Sequence, residues 1–240
     1  MDFVFNGSKG STKGIELVSN VVRDIAPAVT IGQMKVPGQH GFWPTGITYE
    51  ARVITIDIVL AKNTITELRD SIRTLSGWLI TKEPKELFFD DDPDRYYLAM
   101  LSGQTPFEQL VAEGKGTLTF ICPDPFIYAK TPKTVSTFPA QNEGGEPCLP
   151  IITCTATKAI EELKVTLTTT GEFLLLERPI AENDVVVFNC EKELVTVNGV
   201  DVRPDLTVES DYFQLPVGQF SVAVEPSGVT ISMTYRERWV

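Results

Sequence analysis

The densest cluster of chemically capable side chains is Asp90-Asp91-Asp92-Pro93-Asp94, four carboxylates within five residues. Carboxylates so close could hold a calcium ion. A calcium loop needs them at alternate positions, with a mid-loop glycine and a late glutamate. Here the acids are consecutive, Pro93 interrupts them and no suitable glycine follows, so a solvated turn is expected instead. Nucleophilic catalysis needs a serine or cysteine beside a histidine and an orienting acid. The one histidine, His40, lies in a glycine- and proline-rich stretch, and no Gly-X-Ser-X-Gly elbow is present. Cys122, Cys148, Cys154 and Cys190 fit no zinc spacing and are expected to be buried thiols. Gly114-Lys115-Gly116 resembles part of a phosphate loop but leads into a strand rather than a helix. The 32 acids offer many accidental carboxylate pairs, and none has the setting of a glycosidase. No catalytic residue, metal ligand or cofactor is therefore assigned.

The elements around these residues are mostly strands. Leu87-Phe88-Phe89 is an apolar run that stops at the aspartates, and Arg95 to Leu101 resumes in β-favouring types. After a polar link, Gly114 to Cys122 alternates, with Leu118, Phe120 and Cys122 on one face. Pro123-Asp124-Pro125 ends that strand.

Pro93-Asp94-Arg95-Tyr96-Tyr97 closes a turn. It is followed by a strand with the pattern Gly-X-Gly-X-X-X-Phe, which runs into Cys122-Pro123-Asp124-Pro125-Phe126-Ile127-Tyr128. The combination resembles the distal tail protein family of long-tailed, non-contractile bacteriophages.

Net charge is −11, which repels phosphate backbones and disfavours nucleic-acid binding. Hydrophobic residues are 42% and charged ones 22%, the balance of a globular chain with an adequate core. No apolar run is long enough to span a membrane. The start, Met1 to Gly7, carries no basic region of a secretory signal.

Short strands are expected at Phe3–Phe5, Gly14–Val18 and Ala28–Ile31. Residues 32–46 hold four glycines and two prolines, which predicts a long loop without regular structure. Met34, Val36, Phe42 and Trp43 sit in that loop and must be covered, by their own domain or by a neighbour. Ile47 to Ala61 is the longest strand candidate. Ile54, Ile56, Ile58 and Leu60 lie on its apolar face, and Arg52, Thr55 and Asp57 are read off that face. Thr64-Ile65-Thr66-Glu67 is a capping box, and Leu68, Ile72, Leu75 and Leu79 form a stripe, predicting a helix over 65–80.

Residues 131–149 are rich in proline and glycine and read as a linker between a domain at 1–130 and another at 150–240. The second domain reads as all-β, with runs at 151–155, 163–168, 173–176, 185–188, 194–197, 212–215, 220–224 and 229–236. Asn198-Gly199 is its clearest hairpin turn. A β-sandwich follows.

The fold class is thus mainly β. The resemblance implies an N-terminal tail-tube-like β-sandwich or barrel with one flanking α-helix, then a C-terminal galectin-like β-sandwich. It implies a structural, non-enzymatic virion protein at the phage tail tip, assembled in the host cytoplasm. Six copies would form a ring, with the 32–46 loop clamping the next subunit through Met34, Val36, Phe42 and Trp43. Implied partners are the tail tube protein, the tape-measure protein, a tail-associated lysin-type protein and receptor-binding or baseplate proteins. DNA would pass through the lumen unbound. The alternative is a carbohydrate-binding module in which Tyr212, Tyr235 and Trp239 stack on host glycans, though no polar cluster stands beside them.

Overall fold

The computed structural model describes residues 2–60, 64–103 and 114–240, so most of the polar link before Gly114 lies outside the described residues. The chain divides into two compact units, Met1–Lys130 with Val240, and Thr131–Trp239.

The first unit contains β1 (Phe3–Phe5), β2 (Ser8–Lys9), β3 (Leu17–Arg23), β4 (Val29–Met34), β5 (Trp43–Tyr49), β6 (Arg52–Val59), α1 (Ile65–Leu79), β7 (Lys85–Phe89), β8 (Asp92–Ser102), β9 (Lys115–Cys122) and β10 (Ile127–Ala129). Its main sheet runs β2-β1-β7-β8-β9-β6-β3, and β10 adds to β8. The ladders are antiparallel, so period-two alternation decides what is buried. Ile54, Ile56 and Ile58 of β6 and Leu118 and Phe120 of β9 face a common core with Phe3, Phe5, Leu87 and Phe89. Helix α1 covers that core with Leu68, Leu75, Trp78 and Leu79. Thr64 starts it, its Oγ1 accepting the Glu67 amide at 3.2 Å. Trp78, absent from the expected stripe, stacks on Phe3 at 5.9 Å and donates Nε1–H to the Phe5 carbonyl at 3.0 Å. Each such large apolar side chain contributes about 1.5–3 kcal/mol by leaving water.

The aspartate cluster closes this sheet on itself. Asp90 and Asp91 alone form the turn, and Asp92 already pairs with Phe89. Asp90 meets Lys9 of β2 at 3.8 Å, and Asp91 pairs with Arg23 of β3, whose guanidinium lies 4.5 Å over the Phe89 ring. In sheet order β3 is three strands beyond β8, so Arg23 reaches Asp91 only because the sheet curls. Asp90, Asp91 and, at 3.5 Å from Arg95, Asp92 are each engaged with a different cationic side chain rather than turned to a common point.

Three expectations in the first unit, and one for 131–149, need correction. Residues 32–46 are not an irregular loop. Their two ends belong to β4 and β5, which pair only with each other as a two-stranded arm. Ile47–Ala61 is not one strand, because Glu50 and Ala51 separate β5 from β6. Arg52 is not off the apolar face. It is two residues before Ile54 and shares its face, at 2% exposure. The linker at 131–149 is not a linker, as the second unit shows.

That unit contains β11 (Lys133–Val135), β12 (Ala140–Asn142), β13 (Ile151–Ala156), β14 (Leu163–Leu167), β15 (Phe173–Leu176), β16 (Val185–Asn189), β17 (Leu194–Val197), β18 (Val200–Asp201), β19 (Gly218–Phe220), β20 (Val222–Glu225) and β21 (Val229–Tyr235). One sheet runs β11-β21-β13-β16-β17-β18, and β15-β14-β20 faces it across a shared apolar core, making a sandwich. The β17–β18 hairpin turns on Asn198 and Gly199, both at positive φ. Residues 212–215 are not a strand, and only Leu215 bridges, to Cys148.

Residues 131–149 enter this sandwich through β11 on β21 and β12 on β19. Strands of three residues between prolines are too short to show a period. Buried polar groups lock the segment down. Lys133 pairs with Glu143 and, at 2.7 Å, with the buried Glu237, whose Oε1 also accepts the Glu143 amide. Asn142 Nδ2 donates to the carbonyls of Glu146 and Pro216, each at 3.2 Å. A Cβ at Gly144 would lie 2.8 Å from the Arg238 carbonyl oxygen and 2.9 Å from Asn142 Oδ1. Gly144→Ala is therefore expected to cost roughly 1–3 kcal/mol, because backbone must shift to admit it. A lower urea midpoint at unchanged slope is the expected result. A real linker would tolerate the change.

Candidate functional site

The arm is the one large element of the first unit that has no core of its own. Its strands pair Val29 with Tyr49, Ile31 with Ile47, and Met34 with Trp43, and a bulge at Thr45 shifts the register between Gly32 and Gln33. Paired residues share a face, and Ile31 and Met34 are an odd number of residues apart. Val29, Ile31 and Ile47 therefore lie on one face, and Met34 and Trp43 on the other. All five are exposed, with Trp43 at 58% and Met34 at 54%. Neither face is covered by the fold that carries it.

The tip orders itself. Val36-Pro37-Gly38-Gln39 is a β-turn in which the Gln39 amide donates to the Val36 carbonyl at 3.2 Å. Proline presets φ at the second position, and Gly38 supplies φ of +83° at the third. Trp43 Nε1 then donates to Gln39 Oε1 at 3.0 Å, drawing the indole across the turn. A small hollow there is lined by Val36, Gln39, His40, Gly41, Phe42 and Trp43.

The four residues expected at an interface thus gather at one end of the arm. Phe42 is 45% exposed, and Val36 is half-buried against the turn. Sequence reading missed Val29, Ile31 and Ile47. The alternations Val-Thr-Ile and Ile-Thr-Tyr carry the signal of a one-faced strand, which is ordinarily assigned to a core. Between Val29 and Tyr49 the only formally charged residue is Lys35, so the arm holds no acid in a chain of net charge −11.

At its root the arm meets the two sequence motifs. Strand β10 pairs with the start of β8, matching Tyr128 with Tyr96 and Ile127 with Tyr97. The motif halves are therefore one seam, with Tyr96 and Tyr128 stacked at 5.7 Å. Asp124 shapes the turn before it, accepting the Phe126 amide at 3.1 Å and the Tyr128 hydroxyl. Phe126 packs edge-on against Tyr49 of the arm at 6.0 Å.

The aromatic residues considered for sugar stacking do not assemble into a platform. Tyr235 is buried, its hydroxyl donating to the Gln141 carbonyl at 2.7 Å, and Tyr212 packs against the sandwich core. All four cysteines are buried free thiols, each pushed by burial up to about 12 and so held protonated. Among the described residues no group of metal-ligating side chains converges.

Comparison with known proteins agrees with this description. Residues 8–122 match the phage tail protein RIFT-related domain family, and residues 143–239 match the C-terminal domain of the siphovirus-type tail component family. The distal tail protein of Bacillus phage SPP1 is 28% identical over 214 residues, 85% of each chain. The crystal structure of the SPP1 protein, described as a paradigm of the hub adsorption apparatus in phages infecting Gram-positive hosts, superposes with a TM-score of 0.85 at 22% identity, covering 100% of this chain and 99% of that one. A chain of the phage P2 baseplate in its activated conformation shares the fold at a TM-score of 0.50 and 10% identity, over 90% of each chain. On these matches, which between them take in both units, the chain belongs to the siphophage distal tail protein family and, like its relatives, is a structural component of a phage tail rather than an enzyme.

Proposed function

We infer that six copies of this chain close into a ring at the distal end of the tail tube, each arm gripping the next copy. The observation that carries this is the arm itself, a two-stranded ribbon with apolar side chains exposed on both faces. Apolar surface of that kind marks an interaction site. A second copy suits it as occupant, because an acid-free arm bearing Lys35 complements a strongly acidic chain. Arm and receiving surface differ, so the contact is heterologous, and heterologous contacts that close give rings.

The sheet face turned away from α1 is the one we assign to the channel. It carries Thr55, Thr117, Thr119 and Ser102, with Asp57 bonded to Thr117 at 2.6 Å and to Asn20 at 3.3 Å. Lys115 is the one lysine of β9 on that face, beside a carboxylate and neutral hydroxyls, so the strand adds little positive charge to hold phosphates, which suits DNA in transit. Tail tube, tape-measure and tail-tip proteins are the partners such a ring joins, and receptor-binding or baseplate proteins attach outside it. Negative-stain images of the purified protein are expected to show six-fold rings with a central hole. Fields of isolated small particles would contradict the reading.

A further inference from the structure

The arm has no core, so something else must set its angle. The chain enters it from β3 through Asp24 to Ala28 and leaves through Glu50 and Ala51 into Arg52. The Glu50 amide donates to the Ala28 carbonyl at 2.8 Å, which only continues the ladder between the two strands. It does not fix the ribbon to the main sheet. Tyr49 and Phe126 make one such contact. Another is Arg52, the first residue of β6.

Arg52 is the only basic side chain in the described core, at 2% exposure. Its Nη1 donates to the Asp24 carbonyl at 2.6 Å, on the segment entering the arm. Its Nε donates to the Pro125 carbonyl at 3.3 Å, in the Cys-Pro-Asp-Pro-Phe turn. Its guanidinium lies 5.8 Å from the Tyr97 ring centre, in the other motif. Nη2 is buried and has no hydrogen-bond partner, and among the described residues no carboxylate lies within ion-pair distance of Arg52. A buried cation with a spare donor and no counter-charge destabilises a domain relative to an apolar side chain of its size. Net stability is therefore a poor account of it. A rigid planar fork that can grip two carbonyls at a fixed angle is the property that arginine alone supplies.

We propose that Arg52 is a positioning residue that anchors the root of the arm, tying its entering segment and the Pro125 turn to one buried guanidinium so that the arm is held ready for the next copy. The proposal rests on the arm acting as the clamp.

Two full-length variants test it. Arg52→Met keeps the bulk and removes the charge, and Arg52→Lys keeps the charge and removes the fork. Arg52→Met should leave the melting temperature within a few degrees of the parent, because the buried cation is not a net source of stability. In both, amide exchange over residues 29–49 should quicken by roughly tenfold while exchange in β6 and β9 stays unchanged. Ring assembly should weaken by about tenfold or more, because an unanchored arm must be ordered on binding. Exchange in the arm equal to the parent's would overturn the proposal. So would a fall in melting temperature with exchange rising throughout the first unit, since that marks an ordinary core residue. Parent-like protection in Arg52→Lys would also overturn it, because charge alone would then suffice. If rings form normally even when the arm tip is altered, the clamp reading falls. The exchange comparison still decides the anchor separately.

Discussion

Replacing Phe42 and Trp43 together with serine is expected to convert the assembled protein to single chains without lowering its melting temperature. Both side chains are exposed in the isolated fold, so folding gains little from them. At an interface the accounting reverses. An aromatic anchor that becomes fully buried is typically worth 2 kcal/mol or more, so two of them are worth about 4 kcal/mol per contact. That is about a thousandfold in each contact's equilibrium constant. A closed ring of six has six such contacts, and the loss applies to each. Size-exclusion chromatography combined with thermal melting reads both halves of the expectation. A variant that still elutes with the parent would remove the tip from the interface. One that melts far lower would show the tip to be part of the fold.

The second large effect is alkaline unfolding of the C-terminal sandwich. Cys148, Cys154 and Cys190 are each raised by burial from the ordinary value near 9.0 to about 12. Above pH 9 the unfolded chain gives up thiol protons that the folded chain keeps. The folded value is the higher one, so this stabilisation is complete below about pH 9 and drains away as the pH climbs towards about 12. Within that window each thiol costs about 1.4 kcal/mol per pH unit, and three together about 4 kcal/mol. A domain holding about 5–12 kcal/mol exhausts that in roughly one to three pH units. Lys133, which burial pulls down but hydrogen bonds to Glu143 and Glu237 raise overall, adds a loss in the same direction as the pH climbs. Circular dichroism should therefore show a cooperative transition between about pH 10 and 12, and Cys154→Val should move its midpoint upward. A flat signal through pH 12 would mean that the thiols are not sequestered as described.

Much of the first unit was readable from sequence because its elements are long enough to show a period. The alternation in β9 and the leucine stripe of α1 both face the core they predict. The motif halves were recognisable as a pattern, but sequence cannot show that Tyr96 and Tyr128 stack as strand neighbours. Where the reading failed, a residue type was allowed to outvote a position. The charge of Arg52 argues for an outward position, although its spacing from Ile54 puts it on the core face. Glycines and prolines at 32–46 argue against a ladder, but a two-stranded ribbon tolerates Pro44 beside a bulge, where no inner hydrogen bond is lost. Residues 131–149 misled for the same reason. Their three-residue strands draw their order from partners about a hundred residues away, such as Thr234 beside Thr134.

Light scattering of the full-length protein over a wide concentration range tests the central claim most directly. Self-assembly through the arm predicts a mass six times that of the 26.5 kDa chain, falling only on extreme dilution. A mass of one chain at every concentration would contradict it.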